Sequence, residues 1–241
     1  GIGFIFIKPT PPTINILAYS GSGMKLPMLE IKKIYEQQNP HIIIDYSFSG
    51  SRILERTIRT LSKGDIFMPG DKKYISSLNK DNLIIAKYPV ALHIPTIIVH
   101  NGNNKINSWD DLAKKGIKLC IPNAKMASIG KVARVILNLS PLQSQIQANI
   151  TLLATSTAES VKFLLEQKVD AVISWHSMVM IAPDKLRTIK IPENINKIKE
   201  IWISIPKFTT NQTEAQKFAQ FVAGASGQKI FSEMGFKLVG N

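Results

Sequence analysis

The sequence predicts an α/β protein of two lobes, and three observations carry that prediction. Apolar runs of strand length alternate with amphipathic helical stretches along the chain, the pattern that builds a sheet with right-handed crossover helices. Strand after strand ends in a short turn of Ser, Thr and Gly that opens a helix. The last two helical stretches have no strand between them, so they are expected to pack back on the first sheet. The 241 residues suffice for two lobes of about 100 residues each.

Residues 1–12 are apolar and then proline-rich. They read as a first strand or disordered leader, or as the remnant of a signal sequence or anchor with a stiff proline spacer. Residues 13–19 alternate like a strand and run into Ser20-Gly21-Ser22-Gly23, followed by a helix burying Met28, Ile31, Ile34 and Tyr35. Asn39-Pro40 stops that helix, and residues 42–48 form a second strand ending in Ser49-Gly50-Ser51. The next helix shows Ile53, Leu54, Ile58 and Leu61. A short buried strand at 65–68 leads through Pro69-Gly70 to a helix that Asp71 is placed to cap.

Residues 94–100 are strand-like, and Pro95 near the start marks an edge or crossing strand. Ser108 and Asp111 have the spacing of a capping box. A strand at 117–121 stops at Pro122, and a helix begins near Gly130. The helix at 158–167 precedes a strand at 171–174. A strand at 201–205 comes before helices at 214–222 and 228–234. The expected division is 13–93 plus 201–241 as one lobe and 94–200 as the other, with crossings near 93 and 201.

Catalytic signatures are missing from this sequence. Neither 19–23 nor 48–52 fits the Gly-x-Ser-x-Gly nucleophile turn, and Gly130-Lys131 lacks the upstream glycine of a phosphate loop. Cys120 lies in an apolar strand and reads as an inert core thiol. His41, His93, His100 and His176 form no i, i+4 pair, and with one cysteine no zinc site is expected. His176 reads as structural. No enzyme activity, cofactor or resident metal is expected. No apolar run approaches the roughly 18 residues of a membrane span. Lys plus Arg number 30 against 17 Asp plus Glu, a net charge of +13 that points to an anionic partner.

The small polar turns carry the functional signal. Ser20–Gly23, Ser49–Ser51, Ser128–Gly130 and Ser156-Thr157 each place a hydroxyl and backbone N–H groups at a helix N-terminus, where the dipole favours an anion. In an open α/β sheet such turns line the carboxyl edge, where ligands bind. One such turn is an ordinary cap. Two in each of two lobes can close on a small oxyanion.

In this order the residues resemble the bacterial periplasmic molybdate-binding proteins of ABC importers. The resemblance runs through Ala18–Gly23, Asp45–Ser51, Gly64–Asp71, Ser108–Leu112, Ser128–Ala133, Val169–Trp175 and Ile230–Phe236. It implies a type II periplasmic-binding-protein fold with two hinge strands, synthesis with a signal sequence, and a periplasmic or anchored location. It also implies a monomer that delivers its ligand to an ABC permease, with molybdenum or tungsten present only as the bound oxyanion. By position, the resemblance carries ligand contacts to Ser20, Ser22 or Gly23 in the first turn and to Ser51 in the second. The remaining contacts fall at the Ile129 backbone, Thr157 and Trp175. Trp175 departs from the usual tyrosine and offers one N–H at a different reach.

Molybdate, tungstate and sulfate suit a pocket of donors alone. Hydrogen phosphate carries a proton and wants an acceptor carboxylate as well, for which Asp71 and Glu159 are the nearest acids by sequence, and phosphonate is a further alternative ligand. A LysR-type effector domain shares the fold. Its partner would be DNA, but basic residues here are spread along the chain instead of clustered on one helix with aromatics.

Overall fold

The computed structural model describes residues 8–240. The leader expected at 1–12 therefore lies mostly outside the described residues; 8–13 are exposed and carry no regular structure. The first elements are β1 (Ile14–Gly21), α1 (Lys25–Gln38), β2 (Ile42–Ser49), α2 (Ser51–Leu61), β3 (Ile66–Met68), α3 (Lys73–Lys80) and β4 (Ile84–His93). The chain then crosses into β5 (Pro95–His100), β6 (Leu119–Pro122), α4 (Ser128–Leu139), α5 (Gln143–Ala148), β7 (Ile150–Ala154), α6 (Thr157–Leu165), β8 (Ala171–Trp175) and β9 (Leu186–Lys190). It returns as β10 (Lys199–Pro206), α7 (Gln212–Ala223) and α8 (Ala225–Glu233).

Two five-stranded sheets result, ordered β2-β1-β3-β10-β4 and β7-β6-β8-β5-β9. In each, three strands run parallel and two antiparallel pairings complete the sheet. Period-two alternation splits β1 between two cores. Ile16 and Ala18 pack with Met28, Ile31, Phe218 and Phe231, while Tyr19 faces Leu54, Ile58 and Phe67 on the other side. Phe218 and Phe231 come from α7 and α8, so the two last helices do cover the first sheet. The second sheet has its own core around Ile97, Leu119, Ile129, Val172 and Trp175. The architecture is α/β in two lobes.

Three strands escape the sequence pattern, and all three are sheet edges. β4, β7 and β9 expose one side, so Lys87, Thr151 and Arg187 interrupt their apolar runs. Pro89 is tolerated in β4 because the pairing with β10 slips between Ile201 and Trp202 beside it. Pro95 does not mark an edge. It opens β5, which lies between β8 and β9, and a first position needs no ladder N–H. Ile94 is the outward crossing, and residues 191–198 make the return, with Lys199 already in β10. Asp71 stands just ahead of α3 and caps it as expected, its Oδ1 accepting the N–H of Lys73, the first residue of that helix. Asp111 accepts the Asn107 and Ser108 N–H groups, the return half of the expected box, over a short 3-10 turn.

Candidate oxyanion site

The register brings three strand ends level in the first lobe. Gly21 pairs with Ser49, and Ser20 pairs with both Phe48 and Met68, so the turns after β1, β2 and β3 share one edge. In the second lobe Pro122 pairs with Ala154, and β8 ends at Trp175. The two edges face each other. Ser22 Oγ and Thr157 Oγ1 are hydrogen bonded across them at 2.7 Å.

Local geometry frees these hydroxyls for that position. Ser156 is the α6 cap and accepts the Glu159 N–H at 3.2 Å, so Thr157 has no capping duty. At α2 the cap position belongs to Gly50, whose extended backbone (φ −65°, ψ 141°) supplies no side-chain bond. Ser51 Oγ instead accepts the Gly70 N–H at 2.8 Å, which leaves its own O–H to donate. Ser22, Gly23, Ser51, Ser128, Thr157 and Trp175 border a cavity of about 10 Å³, whose lining carries no formally charged side chain other than what a histidine can take up. That space is on the order of one water. Any ligand larger than a water would have to replace the Ser22–Thr157 bond and part the two edges.

His93, the last residue of β4, also borders the cavity and is fully buried. Its Nδ1–H donates to the Gly70 carbonyl at 2.7 Å, because a carbonyl can only accept. Nε2 is therefore a bare acceptor, and it has no hydrogen-bond partner. Trp175 stacks on the ring at 4.2 Å between centroids, 11° from parallel. Burial holds the imidazole neutral, pushing its pKa down to about 3; the Gly70 bond opposes that and His176 adds to it slightly.

Of the residues singled out from sequence, Ser22, Gly23, Ser51, Thr157 and Trp175 meet at the cavity. Ser20 does not: it is buried within β1, with Oγ toward the Gly21 carbonyl. The contact expected at Ile129 was its backbone N–H; its side chain packs in the second-lobe core, and the neighbouring Ala127 and Ser128 border the cavity. Asp71 and Glu159 lie off the wall. Asp71 Oδ2 faces Lys199 at 3.9 Å, and Glu159 Oε2 accepts from Thr155. Sequence reasoning passed over His93 and Gly70; a histidine at the crossing between lobes was the available signal. His176 is structural at Nδ1, which accepts the Ile94 N–H. The Cys120 thiol is buried and pushed up to about 12 by that burial. Among the described residues no group of three His, Cys, Asp or Glu could hold a metal ion, and no helix is long and apolar enough to cross a membrane.

Residues 16–237 match the family model of the bacterial extracellular solute-binding proteins. The chain belongs to that family. A Haemophilus influenzae relative, named only as a binding protein, is 28% identical over 92% of this chain and 90% of its own. The molybdate-binding protein ModA of Mycobacterium tuberculosis is 22% identical over 95% of this chain and 86% of its own. Among solved structures, the sulfate-binding protein SubI of Mycobacterium tuberculosis superposes with a TM-score of 0.83 at 17% identity, covering 94% of this chain and 87% of that one. The cleft is lined by hydroxyls, backbone groups, Trp175 and the neutral His93. Helices α2, α4 and α6 start at its wall, as does the 3-10 turn Ser22–Met24 that leads into α1. Each hydroxyl donated to a buried anion contributes about 1.5–3 kcal/mol.

Proposed function

We propose that this solute-binding protein captures a tetrahedral oxyanion between its lobes outside the cytoplasmic membrane and hands it to an ABC permease. Molybdate or tungstate is the first choice of ligand. The observation that carries the reading is the convergence of Ser22, Ser51, Ser128 and Thr157, two hydroxyls from each lobe, on one uncharged cavity. The ModA relative supports molybdate, and the SubI structure keeps sulfate as the alternative. A thermal-shift series with molybdate, tungstate, sulfate and phosphate tests it. A ligand at a thousand-fold excess over Kd adds about 4 kcal/mol to the folded state, so the melting temperature should rise by several degrees with molybdate or tungstate and not with chloride. A strong shift with sulfate alone would move the assignment to sulfate; no shift with any of the four would overturn the oxyanion reading.

A further inference from the structure

We propose that oxyanion capture in this cleft is proton-coupled: one proton is held between His93 Nε2 and a ligand oxygen. It comes from solvent when the ligand is a fully deprotonated dianion, and from the ligand when that ligand is a hydrogen-bearing oxyanion. The inference rests on the oxyanion reading above and adds the condition under which the site binds.

The other polar side chains on the cavity wall are the Ser and Thr hydroxyls and the Trp175 indole N–H, all able to donate. His93 Nε2 is the exception. Its tautomer is set from behind by the Gly70 carbonyl, so the ring presents a lone pair and no proton. That edge faces the ligand space: a Cβ added at Gly23 would stand 3.5 Å from both Nε2 and Cε1, and one added at Gly70 would stand 3.5 Å from Cε1. A dianion placed against a bare lone pair meets two acceptors with no hydrogen between them, an arrangement that is costly when buried. Adding one proton to Nε2 forms an N–H bond, turns the ring into an imidazolium and converts that clash into a charge-assisted hydrogen bond.

The charged groups around the ring leave this role to the ligand. Asp71, next to Gly70 in the turn after β3, faces Lys199 of β10. His176 follows β8 and is itself held neutral by burial, while Lys237 pairs through its backbone with Leu92. Of these only His176 acts on the His93 charge, and it opposes protonation. No carboxylate holds the imidazolium, so a bound anion is the partner that can. Trp175 lies flat on the ring, where an aromatic face also favours a cation.

Calorimetric titration of the full chain decides the matter without a variant. Molybdate at about pH 6.5, in two buffers of different ionisation enthalpy, is expected to bring about one proton into the complex, with affinity weakening about tenfold for each unit rise in pH between the free-state and the bound-state pKa of His93. Phosphate at about pH 8.5, already hydrogen phosphate, is expected to bring in none from solvent. His93→Gln should abolish the molybdate proton uptake and its pH dependence. Molybdate binding with no proton uptake, or uptake that persists in His93→Gln, overturns the proposal and leaves the oxyanion reading standing. If molybdate, tungstate, sulfate and phosphate all fail to bind, the oxyanion reading falls and the proposal with it.

Discussion

Ser22 and Thr157 are 135 positions apart in the chain, yet their hydroxyl oxygens lie 2.7 Å from each other. One belongs to the turn after β1 and the other to the start of α6, so the bond exists only when the lobes are closed. An anion between them would exchange one neutral hydrogen bond for two charge-assisted ones, each roughly twice as strong.

Ser51→Ala is expected to weaken molybdate binding by about ten-fold to a hundred-fold, the equivalent of about 1.5–3 kcal/mol for a hydrogen bond to a charged group. It also strips the buried Gly70 N–H of its acceptor, which should cost about 1–3 kcal/mol of stability on its own. Calorimetry and denaturant unfolding separate the two losses. Reduced stability with intact affinity would remove Ser51 from the site.

Gly50→Ala tests closure. The backbone at Gly50 is one that alanine adopts freely (φ −65°, ψ 141°), but its Cβ would run into the Met126 carbonyl oxygen of the opposite lobe. The variant should fold about as well as the parent, the gain of about 0.4–1 kcal/mol from a stiffer unfolded chain offsetting alanine's poorer helix cap, while losing ligand affinity. Small-angle scattering should show the parent contracting on saturating molybdate and the variant remaining extended. Unimpaired affinity would mean that this contact is not needed for capture.

Acid should destabilise the ligand-free protein through His93. The folded chain keeps this ring neutral down to about 3, whereas an unfolded histidine titrates at about 6.5. Between those values the unfolded state binds more protons, so the stabilisation is complete above about 6.5 and is lost as pH falls, by about 1.4 kcal/mol per pH unit. His176, also lowered by burial, acts in the same direction. Denaturant unfolding from neutral to acid pH should show a shallower loss in His93→Gln than in the parent; identical slopes would mean that His93 is not held neutral.

The helices and central strands were legible because their signals are local. Met28, Ile31 and Tyr35 on α1, or Leu54 and Ile58 on α2, repeat at helical spacing and are buried as that spacing requires. The edge strands β4, β7 and β9 were not. A strand paired on one side keeps its other side in water, so its sequence no longer alternates strictly, and only the neighbour that pairs with it reveals it.

By itself, the sequence determined that this chain forms α/β lobes and which small polar turns begin helices, since both follow from side-chain periodicity and the needs of a helix N-terminus. The tertiary structure alone decided which of those hydroxyls meet. Ser20 and Ser22 sit two residues apart, but β1 ends at Gly21, so the first stays buried in the sheet while the second opens the 3-10 turn and reaches the cleft. The same holds for His93. Its burial, its tautomer and its unpartnered Nε2 come from Gly70, Trp175 and the crossing between lobes. A lone pair's surroundings are set by residues distant in sequence, and no local pattern encodes them.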